Sequence, residues 1–199
     1  MMKIVKINSQ NPEKQTINEA VKVLEDDGII VYPTDTIYGL GVNIFSETAI
    51  KKVYSLKKRD YRKPLSVCVS RIEDIKKIAY LDEGEKDIEK ILPGPYTIIL
   101  RKKENIPSIL TAGTDRIGVR IPDNQICREL TLKFPITATS ANLSGEASPG
   151  SVHEVIKQLG DSVDLILDGG ETQKIPSTVI DWTTHPPEIL RKGVKDFKI

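Results

Sequence analysis

Ile29-Ile30-Val31-Tyr32-Pro33-Thr34-Asp35-Thr36-Ile37-Tyr38-Gly39-Leu40-Gly41 carries the strongest architectural signal in the chain. Ile29 to Tyr32 is a continuous apolar run closed by Pro33, the pattern of a strand covered on both faces rather than one. Upstream, Met2 to Ile7 reads as a strand, and Asn11-Pro12 as a cap and first-turn pair. Ile17, Ala20, Val21 and Leu24 then recur at helical spacing until Gly28 stops the helix. Downstream, Ser46-Glu47 opens a helix with Ile50, Val53 and Tyr54 inward, and Leu65 to Val69 resumes as strand. Helices over 72–80 and 85–92 lead to the break Pro93-Gly94-Pro95. Tyr96 to Leu100, Ile117 to Ile121 and Pro135 to Thr139 follow as strands, with a helix near 124–132. Ser151-Val152-His153-Glu154 is a capping box, and 163–167, 178–182 and 188–190 are short strands. The alternation predicts one α/β domain over residues 1–199. It should be three-layered, a twisted mixed sheet of about seven strands with helices on both faces.

Composition narrows the chemistry. The 199 residues hold 29 Lys+Arg against 28 Asp+Glu, a net charge of +1, so any polyanion must be met by a local patch. No apolar run approaches the ~18 residues of a membrane span, and no signal-peptide core is visible. A cytoplasmic protein with no membrane association is the expectation. Cys68 and Cys127 lie far apart with no CxxC, and His153 and His185 are the only histidines, so no metal site is expected. Such a chain must work through Lys, Arg, Ser, Thr, Asn and backbone groups.

Three segments could supply that chemistry. Pro33 to Gly41 places hydroxyls, a carboxylate and two glycines after the buried strand, suited either to a ligand or to a turn into a second strand. Lys51, Lys52, Lys57, Lys58, Arg59, Arg62 and Lys63 face only Asp60, a local charge of +6. That run serves either the helix dipole or a polyanion such as nucleotide phosphate or RNA. Ser140-Ala141-Asn142-Leu143-Ser144-Gly145 alternates polar and apolar residues beyond a strand. The Gly145-to-Ser151 stretch mimics a P-loop but lacks its lysine, and reads as a proline turn into a capped helix. Arg120 sits inside the apolar Ile117-Gly-Val-Arg-Ile-Pro122, where it must be paired or face an anion. Arg191 ends the last strand.

Together, in order, these segments resemble the YrdC-like family of threonylcarbamoyl-AMP synthases, in its single-domain form. The matching stretches are PTDTIYGLG from Pro33, LKKR and KPL between Leu56 and Leu65, PGPYT from Pro93 and IGVRIP from Ile117. ATSANLSG from Ala138, DGG from Asp168, PST from Pro176 and ILRKG from Ile189 continue the series. The resemblance implies an enzyme, a nucleotidyltransferase, that condenses L-threonine, bicarbonate and ATP to threonylcarbamoyl-AMP and pyrophosphate. It also implies a downstream transferase machinery that modifies tRNA with the product. Carried over by position, Thr34, Arg120, Ser140 and Ser177 would hold threonine. Lys57, Arg59, Asn142, Ser151 and Arg191 would hold ATP, with Mg²⁺ bound mainly through the phosphates. A tRNA contact through Lys51–Lys63 is a further expectation. The alternative is a non-catalytic tRNA- or double-stranded-RNA-binding module of the YrdC/YciO type. Cys68 and Asp60 depart from the residues the family often has there. The terminal EILRKGVKDF resembles the YciO branch, whereas the intact SANLSG resembles the synthases.

Overall fold

In a computed structural model, which describes residues 2–81 and 85–197, the chain follows the order β1 (Lys3–Lys6), α1 (Lys14–Glu25), β2 (Ile30–Pro33), β3 (Tyr38–Gly41), α2 (Glu47–Leu56), β4 (Val67–Cys68). It continues with α3 (Ile72–Ile78), α4 (Glu85–Ile91), β5 (Tyr96–Arg101), β6 (Arg116–Arg120), α5 (Gln125–Leu130), β7 (Ile136–Thr137) and β8 (Thr139–Ser140). The last elements are α6 (Val152–Leu159), β9 (Leu165–Asp168), β10 (Thr178–Asp181) and β11 (Glu188–Arg191). No described helix is long and apolar enough to cross a membrane.

The mixed α/β architecture is the expected one, but the strands form two sheets rather than one. The first runs β1-β9-β2-β3-β8 and the second β11-β10-β5-β6-β4-β7. Ala138 separates β7 of one sheet from β8 of the other, so five residues of chain pass directly between them. In the sequence that passage reads as one strand, Pro135 to Thr139, because a single bridging residue leaves the alternation unbroken.

Both faces of the first sheet are buried, as the apolar run required. Ile30, Tyr32, Leu165 and Leu167 pack with α1 and α5 through Ile17, Ala20, Leu24, Ile126 and Leu130. Val31, Leu40 and Ile166 belong to the other cluster, with Ile50 and Val53 of α2 and Val155 of α6. The central strands of the second sheet bury one face in the larger cluster, through Ile98, Leu100, Ile117, Val119 and Ile180, while Cys68 of β4 and Ile136 of β7 join the smaller one. On the sheet's alternate positions lie Thr97, Gly118, Arg120 and Val179, the beginnings of a site.

Two caps differ from the sequence pattern. α1 begins at Lys14, not beside Asn11-Pro12, because the Asn8 side chain accepts from the Gln10 and Asn11 N–H groups and holds that segment as a turn. At α6, Ser151 Oγ accepts from Glu154 N, but the Glu154 carboxylate accepts from Gly150 N rather than from Ser151 itself.

Gly39 and Gly41 are explained by Tyr32, whose ring lies across the neighbouring strand. A Cβ at Gly39 would stand 2.8 Å from the ring's Cζ, and one at Gly41 2.9 Å from Cε1. Gly39→Ala should therefore destabilise the fold by about 1–3 kcal/mol through overpacking, a fall in melting temperature of roughly 2–10 °C. Thermal denaturation followed by circular dichroism checks it; an unchanged midpoint would show that the ring yields freely.

Candidate functional site

A cavity of about 180 Å³ opens where the two sheets meet. The second sheet contributes Thr97, Arg120 and Val179, with Ser177 just ahead of β10. The first sheet contributes Ile37 from the β2–β3 turn and Thr139 and Ser140 of β8, while Arg59, Ser148 and Arg191 reach in from the rim. Of the nine residues singled out from sequence, five line this cavity: Arg59, Arg120, Ser140, Ser177 and Arg191. Thr34, Lys57, Asn142 and Ser151 do not, and each has other work.

Arg120 is 3% exposed and donates from Nη2 to Asp35 Oδ1 at 2.6 Å and to Thr36 Oγ1 at 3.1 Å. Its Nε is buried and has no hydrogen-bond acceptor among the described residues. Arg120 is thus a structural ion-pair partner and a cavity residue at once. Thr34 makes the pairing possible from behind. Its hydroxyl donates to Ile37 O at 2.7 Å and accepts from Thr36 N and Ile37 N, each at 3.1 Å, so it closes the turn that presents Asp35. Asp35 Oδ2 also accepts from Asp123 N at 3.2 Å.

Opposite lies a chain of hydroxyl and guanidinium groups. Arg191 donates from Nη2 to Ser177 O at 2.8 Å and to Ser177 Oγ at 3.3 Å, and from Nε to Ser177 O at 3.2 Å. Ser177 Oγ in turn lies 2.8 Å from Thr97 Oγ1. Desolvation, and then the neighbouring Arg120 charge, press the ionisation of Arg191 below the usual arginine range. Arg59 donates to Lys63 O at 3.1 Å and Pro64 O at 2.9 Å, which curls the loop around its guanidinium. Burial lowers its ionisation too.

Lys57, one of the seven cations of the basic run, turns inward: it is 1% exposed. Its Nζ donates to Ser140 O, to Asn142 O at 2.7 Å and to Asn142 Oδ1 at 3.0 Å. Asn142 Oδ1 also accepts from Ser140 Oγ, and Asn142 Nδ2 donates to Glu146 O at 2.6 Å. The ammonium therefore ties the loop after β8 into a knot. Because its acceptors are neutral oxygens, burial dominates, followed by repulsion from Arg59, and the pKa is pushed down to about 7. In the rest of the basic run Lys51, Lys52, Lys58, Arg62 and Lys63 are exposed. Lys51 pairs with Glu47, Lys52 donates to Asp27 O at 2.7 Å, and Arg62 pairs with Asp60 at 2.7 Å. Ser151 is engaged as the α6 cap. Cys68 is fully buried in the core shared with Tyr32 and Cys127.

A second hollow of about 210 Å³ shares Pro64, Ser66 and Val179 with the first and adds Leu65, Ile99, Thr114, Arg116 and Gly118. Together the two reach the size of an ordinary small-molecule site. One half is polar and cationic, the other walled by apolar side chains with Arg116 held by Asp181 at 2.7 Å. Gly118 forms part of the floor: a Cβ there would stand 2.8 Å from Ser66 Oγ and 3.3 Å from Thr97 Cγ2. Sequence reading passed over Thr97, Ser66 and Ser148. For Thr97 a signal existed, a lone hydroxyl in an apolar strand directly after Pro93-Gly94-Pro95. For Ser66 and Ser148 only the tertiary fold supplies one. Among the described residues no group of three or more His, Cys, Asp or Glu could hold a metal ion.

Comparison with known proteins supplies a family. The Sua5/YciO/YrdC family model, described as telomere recombination, matches residues 22–193. A Methanocaldococcus jannaschii protein carrying the provisional name threonylcarbamoyl-AMP synthase is 42% identical over 96% of this chain and 93% of its own. The crystal structure of Pyrococcus abyssi Sua5 complexed with L-threonine superposes with a TM-score of 0.89 at 34% identity. The match covers 97% of this chain but only 57% of that one. Escherichia coli YciO superposes with a TM-score of 0.91 at 30% identity, over 98% of both chains.

Two measurements follow from the buried charges. Arg120→Ala strands Asp35 and should cost about 3–5 kcal/mol, a melting-temperature loss of roughly 6–20 °C. A loss under 2 °C would mean the pair contributes nothing. Lys57 titrates near 7 in the fold but near 10.5 when unfolded, so between those values the unfolded chain binds more protons and stability rises with pH. The stability of wild type relative to Lys57→Met should therefore climb from pH 7 to pH 10 in chemical denaturation; a flat difference would place the ammonium in a solvated setting.

Proposed function

The chain belongs to the Sua5/YciO/YrdC family, and from that membership and the two-part cavity we propose that it is a threonylcarbamoyl-AMP synthase. The observation that carries the reading is the division of one continuous site into a cationic, hydroxyl-lined half and an apolar-walled half. A small amino acid carrying a carboxylate suits the first, where Arg120, Ser177 and Ser140 converge. A nucleoside suits the second, between Pro64, Leu65, Ile99 and Val179. Arg59 and Arg191, at the rim, are placed for the phosphates that join them.

The reaction asks for little that this site lacks. Threonine's amine takes up carbon dioxide equivalents from bicarbonate with loss of water, giving a carbamate. A carbamate oxygen then attacks the α-phosphorus of ATP, the bond to the β-phosphate oxygen breaks, and pyrophosphate leaves. Such a displacement depends on alignment and charge neutralisation rather than on a protein nucleophile. Guanidiniums and hydroxyls held rigidly by internal bonds supply both. In this proposal Thr34, Lys57, Asn142 and Ser151 support the reacting groups from behind instead of touching them. Magnesium fits as an ion that arrives with the phosphate oxygens, because among the described residues the lining of the cavity holds arginines and no carboxylate, and Asp35 is engaged by Arg120.

A downstream transferase that passes the threonylcarbamoyl group to tRNA would be the partner, since an acyl adenylate is a mixed anhydride with no use except transfer. For a direct tRNA contact, the Lys51–Lys63 run would offer the exposed Lys51, Lys52, Lys58, Arg62 and Lys63, with Lys57 turned inward.

The test is a pyrophosphate-release assay with each substrate omitted in turn. Release should require ATP, threonine and bicarbonate together, and labelled threonine and ATP should appear in one product. Arg59→Ala should lower kcat/KM for ATP by roughly ten- to a hundred-and-fifty-fold, the worth of a charge-assisted phosphate contact of about 1.5–3 kcal/mol. Release that persists without threonine would remove the assignment.

A further inference from the structure

We infer that Thr97 is a positioning residue for the amino-acid substrate, acting through Ser177. The inference rests on the synthase reading and deepens it. Both side chains are buried, at 4% and 3% exposure, yet both line the cavity. β5 and β10 run parallel with Thr97 opposite Val179, which sets Ser177 one pleat earlier on the same face. Their hydroxyl oxygens are 2.8 Å apart.

Proton counting leaves the pair one spare donor whichever way their bond runs. Two hydroxyls hold two protons, and their mutual bond uses one of them. If Thr97 donates, Ser177 Oγ accepts from Thr97 and from Arg191 Nη2, both lone pairs are filled, and the Ser177 proton is left for the cavity. If Ser177 donates, the free proton belongs to Thr97. Either way the floor offers one O–H and is flanked by the guanidiniums of Arg191 and Arg120. Such a floor presents donors, which suits an anionic oxygen: the carboxylate of the amino acid. Without the Thr97 hydroxyl, Ser177 loses one of its two fixed partners, its O–H is free to turn, and the ligand must order it on binding.

Packing adds a constraint on replacements. The Thr97 methyl faces Gly118, where a Cβ would approach it to 3.3 Å, so valine at 97 keeps the shape while removing the hydroxyl. A bond that merely stitched β5 to β10 would lower stability in Thr97→Val and leave ligand affinity alone.

The experiment is threonine binding by isothermal titration calorimetry on the full chain without nucleotide, beside thermal melts. Thr97→Val should raise the threonine Kd about 3- to 10-fold, the worth of one neutral hydrogen bond. Thr97→Ser should recover most of that loss. In a Ser177→Ala background, Thr97→Val should add nothing, because a residue that acts through Ser177 has no effect once Ser177 is truncated. An unchanged Kd in Thr97→Val with a lowered melting temperature, or losses that simply add in the double variant, would overturn the positioning role while leaving the synthase reading intact. Wild type that neither binds threonine nor releases pyrophosphate in its presence would sink both.

Discussion

The Arg120–Asp35 pair is the contact that makes the site a single place. Arg120 belongs to β6 of one sheet, Asp35 to the β2–β3 turn of the other, and their 2.6 Å bond closes the gap between the two. Burying a charge pair is expensive unless the leftover donors and acceptors are also satisfied. Here Thr36 takes a second Arg120 proton, Asp123 N fills the other Asp35 oxygen, and the Thr34 hydroxyl fixes the turn between them. Among the described residues the arrangement leaves the buried Arg120 Nε without an acceptor. A cation that is anchored at one end and short of a partner at another is well prepared to receive an anion.

Rigidity recurs on the other walls. Lys57 holds Ser140 and Asn142 from beneath, Arg191 holds Ser177, and the Arg59 guanidinium holds its own loop. Few of these groups depend on solvent for their orientation. For a displacement at phosphorus, where the protein's task is to fix oxygens in line and offset charge, preorganised donors matter more than a basic side chain with a tuned pKa.

Much of this fold could be read from alternation alone. The run Ile29 to Tyr32 announced a sheet covered on both faces, and Arg120 was visible as a lone cation inside an apolar strand. The division into two sheets was not, because β4, β7 and β8 are two residues each and carry no periodicity of their own. Lys57 looked like one cation in a run of seven; only the packing of the loop after β8 turns it inward. Thr34 stood within its motif, but the bonds its hydroxyl makes within its own turn depend on the backbone two and three residues on. Thr97 and Ser177 are 80 residues apart, a pairing that exists only through the register of β5 and β10.

Between β9 and β10 the chain also changes sheets, this time through an irregular segment over 169–177. Side chains and single backbone bonds moor it: Thr172 N to Gly150 O at 2.9 Å, Gln173 Nε2 to Asp35 O at 3.3 Å, and Lys174 to Glu154 at 2.6 Å. Gln173 and Lys174 are exposed, with Lys174 in the left-handed backbone region at φ 64°. The segment ends at Pro176 and Ser177, which line the cavity, and its mooring Asp35 pairs with Arg120, which lines it too. A cut after the exposed Lys174 would therefore free one end of the wall that Pro176 and Ser177 give the cavity.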